Sequence, residues 1–434
     1  NGFERIGNDH INPKPQKKEE IEKQANAMIE KMMQAPEEIR RQYGFLTEED
    51  VKRTAYSMFN DDPYIEGAWM TKYNNLYYLQ YAAPGTEYNI YSDGVYVAES
   101  PLGPYTFAKN NPYSYKPGGF MNGAGHGSTL EDKDGNYWHA STMAITCNDS
   151  MERRLGLWKA GFDDDGELYC DQRYGDWPID KRKPAFSEPD WMILSYGKPV
   201  KASSGKGMDN VTDENCRTWW KASSSEEEWV ELDLEKEKKV HAIQINFMDD
   251  YDEVNSPKED ETNKTNYETF ERYIDKEKQP TRWLLEGSID GVNYFVLENK
   301  SKVDSDFSHD FLVWEEGIQV RYIKLTIFSL PYGQKPCISG IRVFGIGKGN
   351  LPEKTRDVKL EKKTDLDMLV SWELDNAIGY NILWGYSPEK LYHSYLVYGR
   401  NSQCIGALIK GEPVFVRVDA FNEAGITEGD IIEL

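Results

Sequence analysis

The sequence of 434 residues predicts an all-β protein: part of a β-propeller with a helical insertion, followed by two β-sandwiches. Three observations lead to this prediction. A unit of about sixty residues repeats in the N-terminal part, short alternating strands fill the rest of the chain, and 13% of the residues are aromatic. Aromatic residues suit half-buried sheet surfaces, and repeated four-strand units are typical of propeller blades.

The repeat aligns "EGAWMTKYNNLYYLQ" (66–80) on "HGSTLEDKDGNYWHA" (126–140), so that Glu66 corresponds to His126. The outer halves follow, with 94–107 on 156–169. Each unit is predicted to form four short strands in two hairpins, with Glu66 and His126 pointing to a central axis. A closed propeller needs at least about four blades. Because the chain shows two and begins without Met, we expect further blades upstream of Asn1.

One region, 16–58, has a clear helical pattern, with apolar residues at helical spacing from Ile21 to Met32. Pro36 is predicted to start a short helix, and Thr47 with Asp50 resembles a capping box for a third helix. We interpret the region as a helical insertion packed on its host domain. An interaction arm is the alternative.

The remaining sequence predicts two sandwiches, because its alternating strands are separated by turn residues. The first spans 191–346 and is interrupted by a polar stretch (about 249–278) that is predicted to be an exposed loop. The second spans 352–434, after the linker "GKGNLPEK" (347–354). The propeller part is accordingly assigned to 1–190.

Composition excludes several classes of partner. A formal charge of −23 repels nucleic-acid phosphates and anionic membranes, and no stretch is apolar enough for membrane insertion. The cysteines show neither metal-ligand spacing nor a disulfide framework; they are Cys147, Cys170, Cys216, Cys337 and Cys404. No signal peptide is visible, but a chain without its initial Met does not reveal one either way.

Several motifs resemble known families. "EGAWMTKYNNLYYLQYAAPG" (66–85) resembles the third-blade signature of glycoside hydrolase family 43, and "GAGHGSTLEDKDGNYW" (123–138) resembles the blade that follows. "KPVKASSGKGMDNVTDENCRTWWKA" (198–222) resembles a discoidin-like (coagulation factor type C) domain, similar to carbohydrate-binding module family 32. The tail, with "VSWELDNAIGYNILWGYSPEKLY" (370–392), resembles a fibronectin type III domain.

The first resemblance implies a glycosidase that hydrolyses β-xylosidic or α-L-arabinofuranosidic bonds of plant polysaccharides with inversion. Glu66, which precedes Gly67, then corresponds to the general acid. We predict that Ile65 and Trp69 desolvate this carboxyl and raise its pKa. The alternative for Glu66 is a strand cap or a partner for a lysine.

An inverting glycosidase also needs a second carboxylate that activates water. The family takes this base from the first blade and an acid-orienting Asp from the second, and we find neither. Asp61–Asp62–Pro63 lies too close in sequence to Glu66 to face it across a sugar, and is predicted to be a turn. The chain alone is therefore expected to be inactive.

Other candidate site residues follow from the same resemblance. His126 is expected to face an axial ion, often calcium, or to make a structural hydrogen bond. Either Arg153 or Arg154 is expected to bind a substrate hydroxyl or a carboxylate, with a solvated surface pair as the alternative. Trp69 is a candidate sugar-stacking ring, although such residues are more often blade core.

In the discoidin-like segment, Asp213 and Thr218 correspond to residues that help to bind a structural calcium. The glutamate that closes the family's site is replaced by Gly340, so this sequence lacks one of the family's calcium ligands. Trp219 and Trp220 are interpreted as core. Sugar binding by this domain stays open.

Together these features predict part of a secreted, periplasmic or cell-surface glycosidase that acts on plant cell-wall oligosaccharides or polysaccharides. The main alternative is a non-catalytic carbohydrate-binding or adhesion protein with a vestigial propeller. A structural spacer is the third possibility.

Overall fold

The computed structural model describes two compact units. The first contains the two blade-like sheets and both sandwiches, and the second contains the helices and a short hairpin. In the described part of the chain, no helix is both long and apolar enough to cross a membrane. The predicted all-β class is confirmed. The described residues are 18–42, 45, 47–59, 65–86, 88–145, 153–248, 250, 261–264, 269–272, 277–307 and 309–434.

Two four-stranded antiparallel sheets begin the first unit. In each sheet the strands are hydrogen-bonded in chain order, which makes two consecutive hairpins, as the repeat predicts. The first sheet contains β1 (Glu66–Tyr73), β2 (Leu76–Ala83), β3 (Ser92–Ala98) and β4 (Thr106–Phe107). The second contains β5 (Ser128–Glu131), β6 (Tyr137–Ala144), β7 (Arg153–Phe162) and β8 (Leu168–Cys170).

The turn chemistry and the burial pattern explain these sheets. Asn74 and Asn75 connect β1 to β2 with φ values of 44° and 64°, the left-handed conformation that a two-residue hairpin requires and asparagine tolerates. Alternate residues point inward and form a core between the sheets, which includes Tyr78, Met143 and Trp158.

Each sheet also has an apolar outer face. In the first sheet, Met70, Tyr96 and Phe107 belong to one cross-strand row and are 37–48% exposed. In the second sheet, the face of β5 and β7 carries three leucines that are 46–76% exposed: Leu130, Leu155 and Leu157. Rows of large apolar residues at this exposure are typical of surfaces that pack against another protein element.

The next sheet is built on two long, irregular strands that pair with each other. The apolar core of this domain includes Trp220, as predicted, together with Ile243, Trp283 and Leu325. The strands are β9 (Met192–Ile193), β10 (Val200–Ala202), β11 (Trp220–Lys221), β12 (Glu228–Phe247), β15 (Arg282–Ser288), β16 (Tyr294–Asn299), β17 (His309–Ser329) and β18 (Cys337–Ile346). Their order in the sheet is β11–β18–β12–β17–β15–β16, with β10 on β12 and β9 on β18.

The polar stretch 249–278 differs from its prediction as a loop. It contains an antiparallel hairpin of β13 (Glu261–Lys264) and β14 (Thr269–Arg272). This hairpin belongs to the second unit. Its sequence lacks the apolar alternation that identified the other strands, so periodicity alone could not predict it.

The C-terminal part contains two further sheets around a separate apolar core. The strands are β19 (Lys359–Lys362), β20 (Met368–Ser371), β21 (Gly379–Gly385), β22 (His393–Tyr398), β23 (Ser402–Ile405), β24 (Phe415–Asn422), β25 (Gly425–Thr427) and β26 (Ile432–Glu433). The first sheet has the order β19–β20–β23, and the second has the order β22–β21–β24–β25 with β26 on β24. The predicted domain boundaries stay predictions, because the first unit joins all three domains.

Three helices form the predicted helical segment: α1 (Lys18–Met33), α2 (Glu37–Gln42) and α3 (Glu48–Phe59). The capping box is confirmed. The backbone N–H of Thr47 donates to Asp50 Oδ2 (2.9 Å), and the backbone N–H of Asp50 donates to Thr47 Oγ1 (3.1 Å). The Asp61–Asp62–Pro63 turn lies outside the described residues, as does Cys147. Cys170 and Cys404 are free thiols.

A buried charge cluster joins the blade part of the first unit to the sandwich. Lys116 Nζ lies 3.1 Å from Asp176 Oδ2, and Arg342 Nη2 lies 2.8 Å from Glu214 Oε2 and 3.6 Å from Asp176 Oδ1. All four side chains are at most 3% exposed. The two positive and two negative charges balance, and Arg342 also stacks on Phe120. Removal of any one of the four charges would leave a buried charge without its partner, which strongly destabilises a folded protein.

We predict that Asp176→Asn strongly destabilises the protein. Burial alone raises the pKa of Asp176, but the charges of Lys116 and Arg342 outweigh it and hold the pKa below its ordinary value. The neutral amide leaves an uncompensated buried cation, so the free energy of unfolding measured in urea should fall by about 3 to 5 kcal/mol. Asp304→Asn is the matched control. It removes a solvent-exposed ion pair with Lys278 and should change stability little; an equal loss in both variants contradicts the prediction.

Candidate active site

Glu66 is the first residue of β1, at the inner edge of the first sheet, and its side chain is 29% exposed. The next residue, Gly67, has a φ of +66°, which favours glycine. A Cβ on Gly67 would lie 2.9 Å from His126 Cδ2. Glycine after this glutamate is therefore required both by the backbone conformation and by the close approach of the imidazole.

His126 lies two residues before β5, the innermost strand of the second sheet, and has a φ of 55°. Its Nδ1 lies 3.4 Å from Glu66 Oε1. The repeat predicts equivalent positions for Glu66 and His126, and the structure brings the two side chains together.

Tyr91 is a site residue that the sequence analysis missed. Its hydroxyl donates a hydrogen bond of 2.7 Å to Glu66 Oε1. The phenol is 1% exposed, and its ring packs so tightly on Gly125 that a Cβ there would lie 2.8 Å away. The internal repeat contains a signal that could have identified Tyr91 as a site residue. Extending the alignment of the outer halves three residues upstream pairs Tyr91 with Arg153.

The two arginines have different surroundings. Arg153 begins β7, and its positive charge helps to lower the pKa of Glu66. Burial raises the pKa of Tyr91, and the charge of Arg153 opposes this only in part. Arg154 instead donates from Nε to His309 Nδ1 (3.2 Å). Of the predicted pair, Arg153 therefore acts through its charge on Glu66, whereas Arg154 contacts His309 of β17.

The pKa of Glu66 is lowered, so the prediction of a raised pKa is wrong. The hydrogen bond from Tyr91 is the largest cause; partial burial opposes it, and His126 and Arg153 lower the pKa further. Ile65 and Trp69, which were expected to desolvate the carboxyl, are 64% and 42% exposed. They therefore provide little apolar cover, and the carboxylate form is favoured.

Trp69 connects the two sheets. Its Nε1 donates to the backbone oxygen of Thr129 (2.9 Å), which is its equivalent in the repeat. The Trp69 ring is partly exposed, so it is not fully buried in the core of the blade. Its predicted stacking role stays a prediction.

A buried polar network lies behind His126 and was not predicted. Asp93 Oδ2 accepts a hydrogen bond from the backbone N–H of Gly127 (2.9 Å) and lies 3.1 Å from His139 Nε2. On the other side of the ring, His139 Nδ1 lies 3.0 Å from Thr129 Oγ1, which donates to Gln80 Oε1 (2.9 Å). The network thereby fixes the segment that carries His126 and links the two sheets.

The predicted axial ion at His126 and the predicted structural calcium stay predictions. No group of three or more His, Cys, Asp or Glu residues suited to a metal occurs among the described residues. Asp213 Oδ2 accepts a hydrogen bond from the Thr218 hydroxyl (2.5 Å), and burial raises the Asp213 pKa to about 6. Gly340 offers no oxygen side chain and lies against Phe120, so the oxygen cage that calcium prefers is incomplete.

Fold and site define part of a propeller-type protein with a carboxylate, an imidazole, a phenol and a guanidinium at the inner edge of two adjacent sheets. Residues 24–168 match the family model "Glycosyl hydrolases family 43". The match covers about a third of the chain and includes Glu66, Tyr91, His126 and Arg153. It supports a glycoside hydrolase fragment.

Solved structures give further similarities. One described as a glycoside hydrolase is 18% identical with a TM-score of 0.37; the match covers 65% of this chain and 60% of that chain. The module CpGH89CBM32-6 of Clostridium perfringens is 20% identical (TM-score 0.26; 36% of this chain, 100% of that one). An endo-1,4-beta-xylanase of Bacteroides thetaiotaomicron is 25% identical (TM-score 0.23; 25% and 37%). No curated protein matches the sequence.

We predict that Tyr91→Phe raises the pKa of Glu66 toward its ordinary value, because the largest cause of the lowering is removed while the ring is kept. The pKa can be followed by NMR titration of the glutamate side-chain carboxyl carbon, with Glu66→Gln to assign the signal. Tyr105→Phe is the matched control, since its hydroxyl bonds the backbone of Pro101. An unchanged Glu66 titration in Tyr91→Phe contradicts the assignment.

Proposed function

We propose that the chain is part of a glycosidase that hydrolyses β-xylosidic or α-L-arabinofuranosidic bonds of plant polysaccharides with inversion. Glu66 is the general acid in this proposal. The observation that carries it is the placement of Glu66, inside the family 43 match, at the inner edge of β1 with Tyr91 and His126 against its carboxylate. Secretion, or a periplasmic or cell-surface location, goes with a polymeric substrate of this kind.

The chemistry needs a second carboxyl about 6.5–9.5 Å from Glu66, with a water molecule between it and the sugar. Asp93 is unsuited to this role because it is buried and engaged by Gly127 and His139. The main causes of the Glu66 pKa shift include no Asp or Glu of the described residues. The proposal therefore takes the base from a blade outside this chain.

The exposed apolar faces support further blades. The row of Met70, Tyr96 and Phe107 and the row of Leu155 and Leu157 lie on the outer surfaces of the two sheets. A sheet packed on each face would remove this apolar surface from water. An anionic group on such a sheet, placed near Glu66, would also oppose Tyr91 and raise the pKa of the acid.

The lowered pKa of Glu66 favours a second candidate function. A carboxylate that is ionised near neutral pH is a poor proton donor but a good acceptor of sugar hydroxyl hydrogen bonds. The alternative is therefore a non-catalytic carbohydrate-binding or adhesion protein with a vestigial propeller.

The test compares wild type with Glu66→Gln in the protein that includes the further blades, using an aryl β-xyloside and an aryl α-L-arabinofuranoside. We expect rates to fall by about 10² to 10⁴ in the variant, and by less when the leaving group needs little protonation. NMR of the first-formed product reports its anomeric configuration. Glu99→Gln, an exposed site, is the control; rates unchanged by Glu66→Gln remove Glu66 from the mechanism.

A further inference from the structure

A groove of about 350 Å³ lies at the outer part of the second sheet. It is formed by the turn before β6, by β7 and β8, and by the segment after β8. The order β5–β6–β7–β8 places Tyr169 of β8 at the opposite edge of the sheet from the strand that follows His126. None of the four candidate active-site residues lines this groove.

Aromatic rings form the apolar wall of the groove. Tyr73 and Phe162 stack on each other with their centroids 3.9 Å apart, and Tyr137 packs edge-on against Phe162 at 5.2 Å. Trp138 also lines the groove, and its indole Nε1 is fixed by Asp132 Oδ2 at 2.9 Å. Rings held in this way offer apolar surface to the C–H face of a sugar at little entropic cost.

Three lysines contribute the polar part: Lys159, Lys181 and Lys183. Lys159 Nζ donates to the backbone oxygen of Asp180 (2.7 Å), and Lys183 pairs with Asp190 at the rim. Lys181 is exposed and makes no ion pair with the described residues. Its charge is therefore available to a ligand.

No Asp or Glu is among the described residues that line the groove. The carboxylates nearest Lys159 are already engaged by arginines. Both carboxylate oxygens of Asp180 accept hydrogen bonds from the Arg182 guanidinium, and Asp171 accepts one from Arg173 Nε. In a chain of net charge −23, a groove lined by three lysines and no carboxylate is a local exception.

We propose that this groove binds an oligosaccharide that carries uronic-acid carboxylates. The aromatic wall fits the apolar face of a sugar ring, and the lysines fit its carboxylate. The volume suits one or two sugar residues rather than a long chain. Single-stranded nucleic acid also combines stacking with negative charge, so tighter binding of an oligonucleotide is included as an outcome of the test.

The test is isothermal titration calorimetry with hexagalacturonate, xylohexaose and a short oligothymidylate on the same chain. We expect hexagalacturonate to bind and to weaken with added salt, because the lysine contribution is screened. Lys181→Gln should weaken its binding about fivefold, the upper range for one exposed charge pair. Lys410→Gln, an exposed lysine of the C-terminal sandwich, is the matched control and should bind as wild type.

Aromatic variants separate stacking from charge. Tyr137→Phe keeps the ring and loses only the hydrogen bond to Glu131, so it should bind as wild type, whereas Tyr137→Ala should weaken binding. Glu66→Gln should leave uronate binding unchanged, which makes this test independent of the glycosidase proposal. Equal binding of xylohexaose and hexagalacturonate, tighter binding of the oligothymidylate, or equal effects of Lys181→Gln and Lys410→Gln would overturn the proposal.

Discussion

The first unit depends on a buried cluster of four charged side chains, two from its blade part and two from the first sandwich. Arg342 extends from the sandwich toward Asp176 of the blade part, while Glu214 and Lys116 balance the two charges. Aromatic packing surrounds the same junction, where Trp177 contacts Phe344 and Phe421. The blades and both sandwiches are thus parts of one packed body, rather than modules joined by a flexible linker.

The sequence predicted the features that rest on local periodicity. The sixty-residue repeat gave the strand order of both sheets, and it placed Glu66 and His126 in equivalent positions that turn out to be neighbours. The capping box of Thr47 and Asp50 could also be predicted from the sequence, because both of its hydrogen bonds are made within four residues. In each case the interacting groups are fixed by the spacing along the chain.

What the sequence did not predict depends on contacts between distant segments. Tyr91 reaches Glu66 only because the chain after β2 returns to the inner edge of the sheet. Its hydrogen bond reverses the expected direction of the Glu66 pKa. The sequence around Glu214 is typical of an exposed polar loop. In the structure, however, its buried carboxylate accepts a hydrogen bond from Arg342, which is 128 residues away in the chain. Neither composition nor residue spacing predicts contacts between side chains that are so far apart in the chain.

The repeat has a consequence for the electric field in the site. Glu66 and Tyr91 belong to the first sheet, and their equivalents in the second are His126 and Arg153. Two related units thus place an anion and its phenol donor on one side, and an imidazole and a guanidinium on the other. A bond that lies between them experiences a field directed from the second sheet to the first. A hydroxyl group bound there would be oriented by that field before it touches any single side chain.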